Sequence, residues 1–436
     1  MTVAKIKPNG VKADSPADPV AYYDSNRGRF YTKSRAGEWI AFTEGSLKRR
    51  LRWEMFAGIE CDIKRGALIQ QHMLALQLDH PVVYAGPIAG YPTGITHLCG
   101  HRVLITSGPR IIHAKKGSTP TLTKFITELL GDRDIMLYGW LKCALETLRR
   151  GAPFRPGQMF AIAGPSGCGK SLLQDLLTEL FGGRFAKPYD FLIGEEKWND
   201  DLLGAEHLMI EDDASSTDYR SRKSFGAKLK NLVANQTQML KRRFSDSIPV
   251  AAFSRVTITL NEESECLMVL PPIDESLTDK IILLRAKKAA FPFGDDDLDG
   301  RKRYREILSS ELPAFVHFLS ALQIPPGLTD QRYGIVGYQE PSLMEDLIEL
   351  TPEEELLTMI DYLNIWNIDR APWEGTAAAL QAMLLQKDTT GRIKSILSFS
   401  TACGVFLERI KRNHPDRVSE SRVKGKTREW TILPKK

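Results

Sequence analysis

The sequence predicts an α/β protein built around a parallel sheet with helices on both faces, and three observations predict it. Between about residue 155 and residue 295, short β-branched runs alternate with helical stretches, the pattern of a sheet wound by crossover helices. Within that stretch Gly164-Pro165-Ser166-Gly167-Cys168-Gly169-Lys170-Ser171 follows the apolar run MFAIA and opens the helical run SLLQDLLTELF, the strand, glycine-rich loop and helix order of a phosphate-binding loop. The composition, 42% hydrophobic and 26% charged over 436 residues, is globular and excludes a disordered, collagen-like or coiled-coil chain.

The remaining elements follow along the chain. Residues 1–19 mix Pro, Gly, Lys, Asp and Ala without periodicity and read as a disordered tail. Residues 20–120 read as a small α+β module. Aromatic-bearing runs between Tyr22 and Ile40 form a meander, and apolar residues at helical spacing (Leu47, Leu51, Met55, then Ala67 to Leu78) form two helices. A Gly- and Pro-rich stretch with β-branched runs then closes the module. Residues 121–153 carry two amphipathic helices, the second with Leu137, Leu141, Leu145 and Leu148 along one side, and read as a helical collar. The sheet domain spans 154–295 and ends at the acidic break GDDDLDG. Helical sequence over 296–370 reads as a lid or collar. Residues 371–436 give helix, helix and two alternating runs around Gly425, the order of a winged helix.

No apolar run approaches the roughly 18 residues of a membrane span, and the start of the chain has no apolar segment after its lysines. The expectation is a cytoplasmic chain with no membrane partner. Six cysteines scattered singly fit reduced thiols. The run His97-Leu98-Cys99-Gly100-His101 offers three close ligands without a fourth, a weak zinc pattern. The net charge of +5 names no polyanionic partner by itself.

The phosphate-binding loop carries the chemistry. Its glycines let backbone N–H groups curl around phosphates, Lys170 reaches the β- and γ-phosphates, and Ser171 ligates Mg²⁺, so ATP and Mg²⁺ are the expected cofactors. Cys168 sits at an unconstrained position of the loop and offers a handle to alkylating reagents. The apolar run His207-Leu208-Met209-Ile210 ends in Glu211-Asp212-Asp213, carboxylates at a strand tip that suit a metal water shell and an attacking water. Asp212 is taken as the metal ligand beside Ser171, and one residue of register interchanges the three acids. A third run, Val256 to Leu260, delivers Asn261 at its tip, where an amide orients water near the γ-phosphate. Between the last two strands, two short runs flank a turn at Ser245-Asp246, a hairpin carrying Lys241, Arg242 and Arg243.

This ordered set resembles the superfamily 3 helicases, AAA+ ATPases of viruses, phages and mobile elements, and within them the poxvirus-type primase-helicase branch. The likeness runs over roughly 170 residues: WLKCALETLRRG from Trp140, the P-loop, KWNDDLLGAEH from Lys197, IEDD, LKNLVANQ, TITLN and LPPIDESLTDKI. It implies an AAA+ core with Walker A at Gly164 to Ser171, Walker B at Glu211 to Asp213, the family's DNA-gripping hairpin at Lys241 and a sensor at Asn261. The family's arginine finger, reaching a neighbouring subunit's nucleotide, has no arginine at Ser276 to Lys280 here; Lys280, Arg285, Arg220 and Arg222 are the candidates, and lysine is the weaker planar clamp. No paired-carboxylate primase centre is visible in the first 120 residues; Asp132 and Asp134 are spaced as a pair but cap a helix.

A separate signal lies at the end of the chain. Residues 409–436 hold ten Lys or Arg against three acids, a net of +7, and Arg422, Lys424 and Lys426 on the expected wing suit phosphate contacts. The resulting expectation is an ATP-dependent, ring-forming replicative DNA helicase, a hexamer acting on single-stranded and forked DNA beside a separate primase or polymerase. The alternative is a non-unwinding DNA-bound ATPase, a loader or remodeller.

Overall fold

The structure, a computed structural model, describes residues 21–211, 219–294, 297–349, 351–366, 369–421 and 428–435. The tail expected over residues 1–19 lies outside them. The chain forms two compact units, residues 1–262 with 269–339, and residues 263–268 with 340–436. Among the described residues no helix is long and apolar enough to cross a membrane.

The first unit begins with β1 (Tyr22–Asp24), β2 (Arg29–Lys33), β3 (Trp39–Phe42), α1 (Glu44–Glu54), α2 (Asp62–Asp79) and β4 (Pro81–Val82). The antiparallel meander β1 to β3 is extended by β4, giving the order β3-β2-β1-β4, and α1 and α2 bury Leu47, Leu51, Ile69, Met73 and Leu76 with Phe30. Next come β5 (Tyr84–Gly86), β6 (Gly94–Leu98) and β7 (His101–Ile105), a sheet of order β5-β7-β6. The HLCGH run is the β6–β7 turn, with Leu98 opposite His101 and Cys99 at a φ of 48°.

The core follows: α3 (Pro120–Leu130), α4 (Asp134–Arg150), β8 (Met159–Ala163), α5 (Lys170–Leu180), β9 (Phe185–Ala186), α6 (Tyr189–Ile193), β10 (His207–Ile210), α7 (Tyr219–Ala234), β11 (Gln238–Leu240), β12 (Ile248–Val250) and β13 (Arg255–Leu260). After α8 (Ser264–Leu267), which belongs to the second unit, come β14 (Ile281–Arg285), α9 (Leu298–Ala321) and β15 (Tyr338–Gln339). Six parallel strands stand in the order β15-β14-β8-β13-β10-β9. Strands β8, β10 and β13 are buried along their whole length, as expected for a parallel sheet covered on both faces. The loop strand β8 is central, so the tips of β13 and β10 open successively beside it.

Helices α3 and α4 share one apolar core with β8, α5 and α9. Leu137, Leu141, Leu145 and Leu148 are all buried, and Trp140 donates its indole N–H to the Gln158 carbonyl at 3.0 Å while packing on Phe160 and Phe181. The helical stretch expected as one segment over 296–370 is divided instead. α9 buries Leu308, Leu312, Phe315 and Leu319 in the first unit's core, and the chain from Glu340 onward belongs to the second unit.

The second unit contains α8, α10 (Pro341–Glu349), α11 (Pro352–Tyr362), β16 (Trp373–Thr376), α12 (Ala377–Lys387), α13 (Arg392–Ile396), α14 (Ala402–Asn413), β17 (Val418–Ser421) and β18 (Glu429–Ile432). Its antiparallel sheet has the order β16-β18-β17, and Trp430, 2% exposed, sits in one core with Leu356, Ile360, Leu380, Leu384, Phe406 and Ile410. Helix α11 thus shares the core of the segment expected to start at residue 371.

One buried imidazole should make stability fall with acid. His207 is fully buried, with Nδ1 at 2.6 Å from the Thr178 hydroxyl and Nε2 at 2.8 Å from the Thr257 hydroxyl, and desolvation pushes its pKa from 6.5 down to about 3. Below 6.5 the unfolded chain binds a proton that the folded chain refuses, so stability should fall as pH drops from 6.5 towards 3, by up to about 1.4 kcal/mol per pH unit. Urea midpoints at pH 7.5 and pH 5 should therefore diverge more for the native protein than for His207→Gln. An equal divergence would place the acid sensitivity elsewhere.

Candidate nucleotide site and basic hairpin

The loop between β8 and α5 is shaped by its glycines. Gly169 has a φ of 114°, and a Cβ there would meet the Phe125 ring at 2.8 Å; at Gly164 a Cβ would lie 2.8 Å from both the Cβ and the carbonyl oxygen of Ala286. Only glycine fits both places. The helix then starts at Lys170, so its first N–H groups point into the loop, where an anion meets the positive end of the helix dipole.

Lys170 is 7% exposed, and its ammonium donates to the carbonyls of Gly164 at 2.7 Å and Pro165 at 2.9 Å and to Asn261 Oδ1 at 3.1 Å. The lysine and the amide, 91 residues apart in sequence, meet because β8 and β13 run side by side in parallel, Leu260 opposite Ala163. Glu211 directly follows β10, one strand further out, and its carboxylate pairs with the Lys187 ammonium. Asp212 and Asp213 lie outside the described residues. A cleft of about 980 Å³ joins Ser166 to Ser171 with Glu211 and Asn261. Ser171 and Glu211 offer it hard oxygen donors, the donor set Mg²⁺ prefers. Cys168, within the stretch that lines the cleft, has no exposed surface, and its side chain packs with the core behind the loop.

One group behind this cleft and one lining it have no signal in the sequence patterns. Gln174 on α5 is 1% exposed and donates to the Ile210 carbonyl at 3.1 Å and the Thr257 hydroxyl at 2.9 Å, while accepting from Thr259 at 3.1 Å. It fixes the loop helix against the two strands that carry Glu211 and Asn261. The other group comes from the chain after β14. Phe291 and Phe293 stack at 5.2 Å, Tyr304 on α9 packs edge-on against both, and Arg301, Lys302 and Arg305 of the same helix line the same cleft. Arg305 is held by Asp175 of α5 at 2.9 Å. The cleft therefore has aromatic side chains and three cations facing the phosphate-binding loop from within one chain.

The finger candidates are placed as follows. Arg222 is 4% exposed and donates to the Leu270 carbonyl at 2.8 Å, a position out of reach of a neighbouring molecule and a correction to its expected role. Lys280 pairs with Asp279 at 2.6 Å, and Arg285, at the end of β14, pairs with Glu262 at 2.9 Å. The Arg220 side chain lies outside the description.

Strands β11 and β12 form the hairpin, with Leu240 opposite Ile248. Leu240, Ile248 and Val250 are buried with Tyr84, Ile88 and Val103 of the N-terminal module. Asn199 clamps its root, donating to the Met239 carbonyl at 3.0 Å and accepting from the Lys241 N–H at 2.7 Å. Lys241 and Arg243 are exposed. Arg242, expected among the DNA contacts, is instead a tether: it pairs with Asp200 at 3.0 Å, donates to the Ala85 carbonyl at 3.2 Å and lies over the Tyr84 ring at 4.8 Å. Arg422, Lys424 and Lys426 lie outside the described residues.

A family described as "Family of unknown function (DUF5906)" matches residues 162–276, from the P-loop strand through Asn261. Among solved structures, an apo structure of the NrS-1 C-terminal region has a TM-score of 0.54 at 14% identity and covers 95% of this chain and 95% of that chain. A second apo form of that region has a TM-score of 0.53 at 14% identity, covering 95% of this chain and 96% of that one. These likenesses show a shared fold along nearly the whole chain. No curated protein sequence matches.

Proposed function

We propose that the chain is an ATP-driven motor of the superfamily 3 helicase type, moving on single-stranded DNA and separating strands at a fork. The observation that carries the reading is the convergence in one cleft of the P-loop lysine, the Asn261 amide at the tip of the neighbouring strand and Glu211 at the tip of the next, with a basic hairpin built between those two strands. Strand order β14-β8-β13-β10-β9 around the loop strand supports an AAA+ core.

In this reading Lys170 exchanges its loop carbonyls for the β- and γ-phosphate oxygens and stabilises charge developing on the transferred group. Asn261, already 3.1 Å from the Lys170 ammonium, orients the attacking water. Ser171 and Asp212 would hold Mg²⁺, which would neutralise phosphate charge. Arg301 and Lys302 add positive charge from the same chain, beside Arg305 and its partner Asp175, and the aromatic side chains receive the base. Stacking of a base on an aromatic ring is worth about 1–3 kcal/mol, so Phe293→Ala should weaken nucleotide binding roughly tenfold, read by displacement of a fluorescent nucleotide. An unchanged affinity would remove the base from that wall.

The second unit is read as a winged helix: α11, β16, α12, α14 and the β17–β18 hairpin form one core under a sheet of order β16-β18-β17. Its basic end gives the DNA contact outside the motor, and hexameric assembly completes the motor. The reading is tested by hydrolysis rates with and without single-stranded DNA. Stimulation that shrinks with added salt is expected, since phosphate contacts release counterions. Hydrolysis indifferent to DNA would contradict it.

A further inference from the structure

The loop of the basic hairpin holds a residue that packing does not explain. Phe244 is 95% exposed, the most exposed of the large apolar side chains among the described residues, and its backbone adopts a φ of 57°, a left-handed conformation that a bulky residue takes at a cost. Neither burial nor turn geometry calls for phenylalanine there; glycine or asparagine would hold the same φ with less strain.

Its setting is rigid below and cationic around. Asn199 and the Arg242 tether hold the root against the N-terminal module, and the buried residues Leu240 and Ile248 fix the strands. Lys241, whose backbone is clamped by Asn199, carries an exposed side chain, and the turn beyond it presents exposed Arg243 next to Phe244. Acids also lie near the loop: Asp200, paired with Arg242, Asp246 in the loop itself, and Glu196, close enough to feel the charge of Arg243. An exposed ring that follows two exposed cations in one short loop is complementary to a nucleotide strand whose bases are unpaired: the ring offers a stacking face and the cations meet phosphates.

We infer that Phe244 is a stacking residue for single-stranded nucleic acid, inserting between or against bases while Lys241 and Arg243 hold the backbone. The inference rests on the nucleic-acid reading of the hairpin and adds to it a contact with bases rather than with phosphate alone. A duplex would withhold its base faces, so the contact selects the single strand, and because every base has a π-face it does so without reading sequence.

The test compares binding of the full chain to an oligothymidylate and to an abasic backbone of the same length, by fluorescence anisotropy. The native protein should bind the base-bearing strand about tenfold more tightly. Phe244→Ala should bring that ratio close to one, while the salt dependence set by the cations persists; Phe244→Trp should restore the ratio. Exposure of the ring means that neither variant should unfold, which matching thermal melts would verify. A ratio unchanged in Phe244→Ala overturns the stacking role, and if Lys241→Ala then weakens both strands alike, the hairpin still binds nucleic acid through phosphate only. Failure of the native protein to bind either strand would overturn stacking and the nucleic-acid reading together.

Discussion

Lys170→Ala is expected to lower ATP hydrolysis by at least about 100-fold, the scale seen when a donor to a developing negative charge is removed. The ammonium is buried beside the loop, satisfied by the carbonyls of Gly164 and Pro165 and by Asn261, so it is already positioned where a phosphate would take their place. Alanine removes the charge and leaves the loop conformation, which depends on Gly164 and Gly169, in place. A Lys170→Arg variant keeps the charge but not the compact shape, and should recover little of the lost rate. Turnover in a steady-state phosphate-release assay settles the point; native rates in the alanine variant would remove the loop from the catalytic site.

Glu206→Ala should destabilise the first unit by about 3–5 kcal/mol, the usual loss when one partner of a buried ion pair is removed. Glu206 is fully buried, accepts Arg184 Nε at 2.9 Å and a second guanidinium N–H, and accepts the Gly90 N–H at 2.8 Å. Arg184 in turn donates to the Ser107 carbonyl at 2.6 Å. One carboxylate therefore joins the edge of the core sheet to the N-terminal module at two places. Without it, a half-buried guanidinium and a backbone N–H lose their acceptor at once. Glu206→Gln keeps an acceptor but not the charge, and should lose less. Urea midpoints of the three proteins rank the effect; a loss under about 1 kcal/mol for alanine would mean that water or relaxation replaces the pair.

The parts of the fold that were legible beforehand are those in which local physics demands a residue type at a fixed spacing. The P-loop needs glycine where φ is positive or a backbone approaches, and those needs fall within eight consecutive residues. Leu137, Leu141, Leu145 and Leu148 announced α4 because a helix returns to one side every three or four residues. The hairpin from Gln238 to Val250 was legible from two short apolar runs around a polar turn. Arg242 was not, since its partners Asp200 and Ala85 lie 42 and 157 residues away and only the folded chain brings them together. The aromatic wall was hidden for the same reason: Phe291-Pro292-Phe293 reads as a loop until α9 sets Tyr304 and Arg305 beside the P-loop. Strand β16 was missed because Trp373–Thr376 carries no alternation of its own and becomes a strand by pairing with β18.

The measurement that bears most directly on the motor reading is strand displacement on a forked duplex with ATP. Separation is expected to require hydrolysis, to stop with a non-hydrolysable analogue and to be absent in Lys170→Ala. DNA-stimulated hydrolysis by the native chain with no strand separation, at saturating protein and on forks with either tail, would contradict it and leave a DNA-bound ATPase that does not unwind.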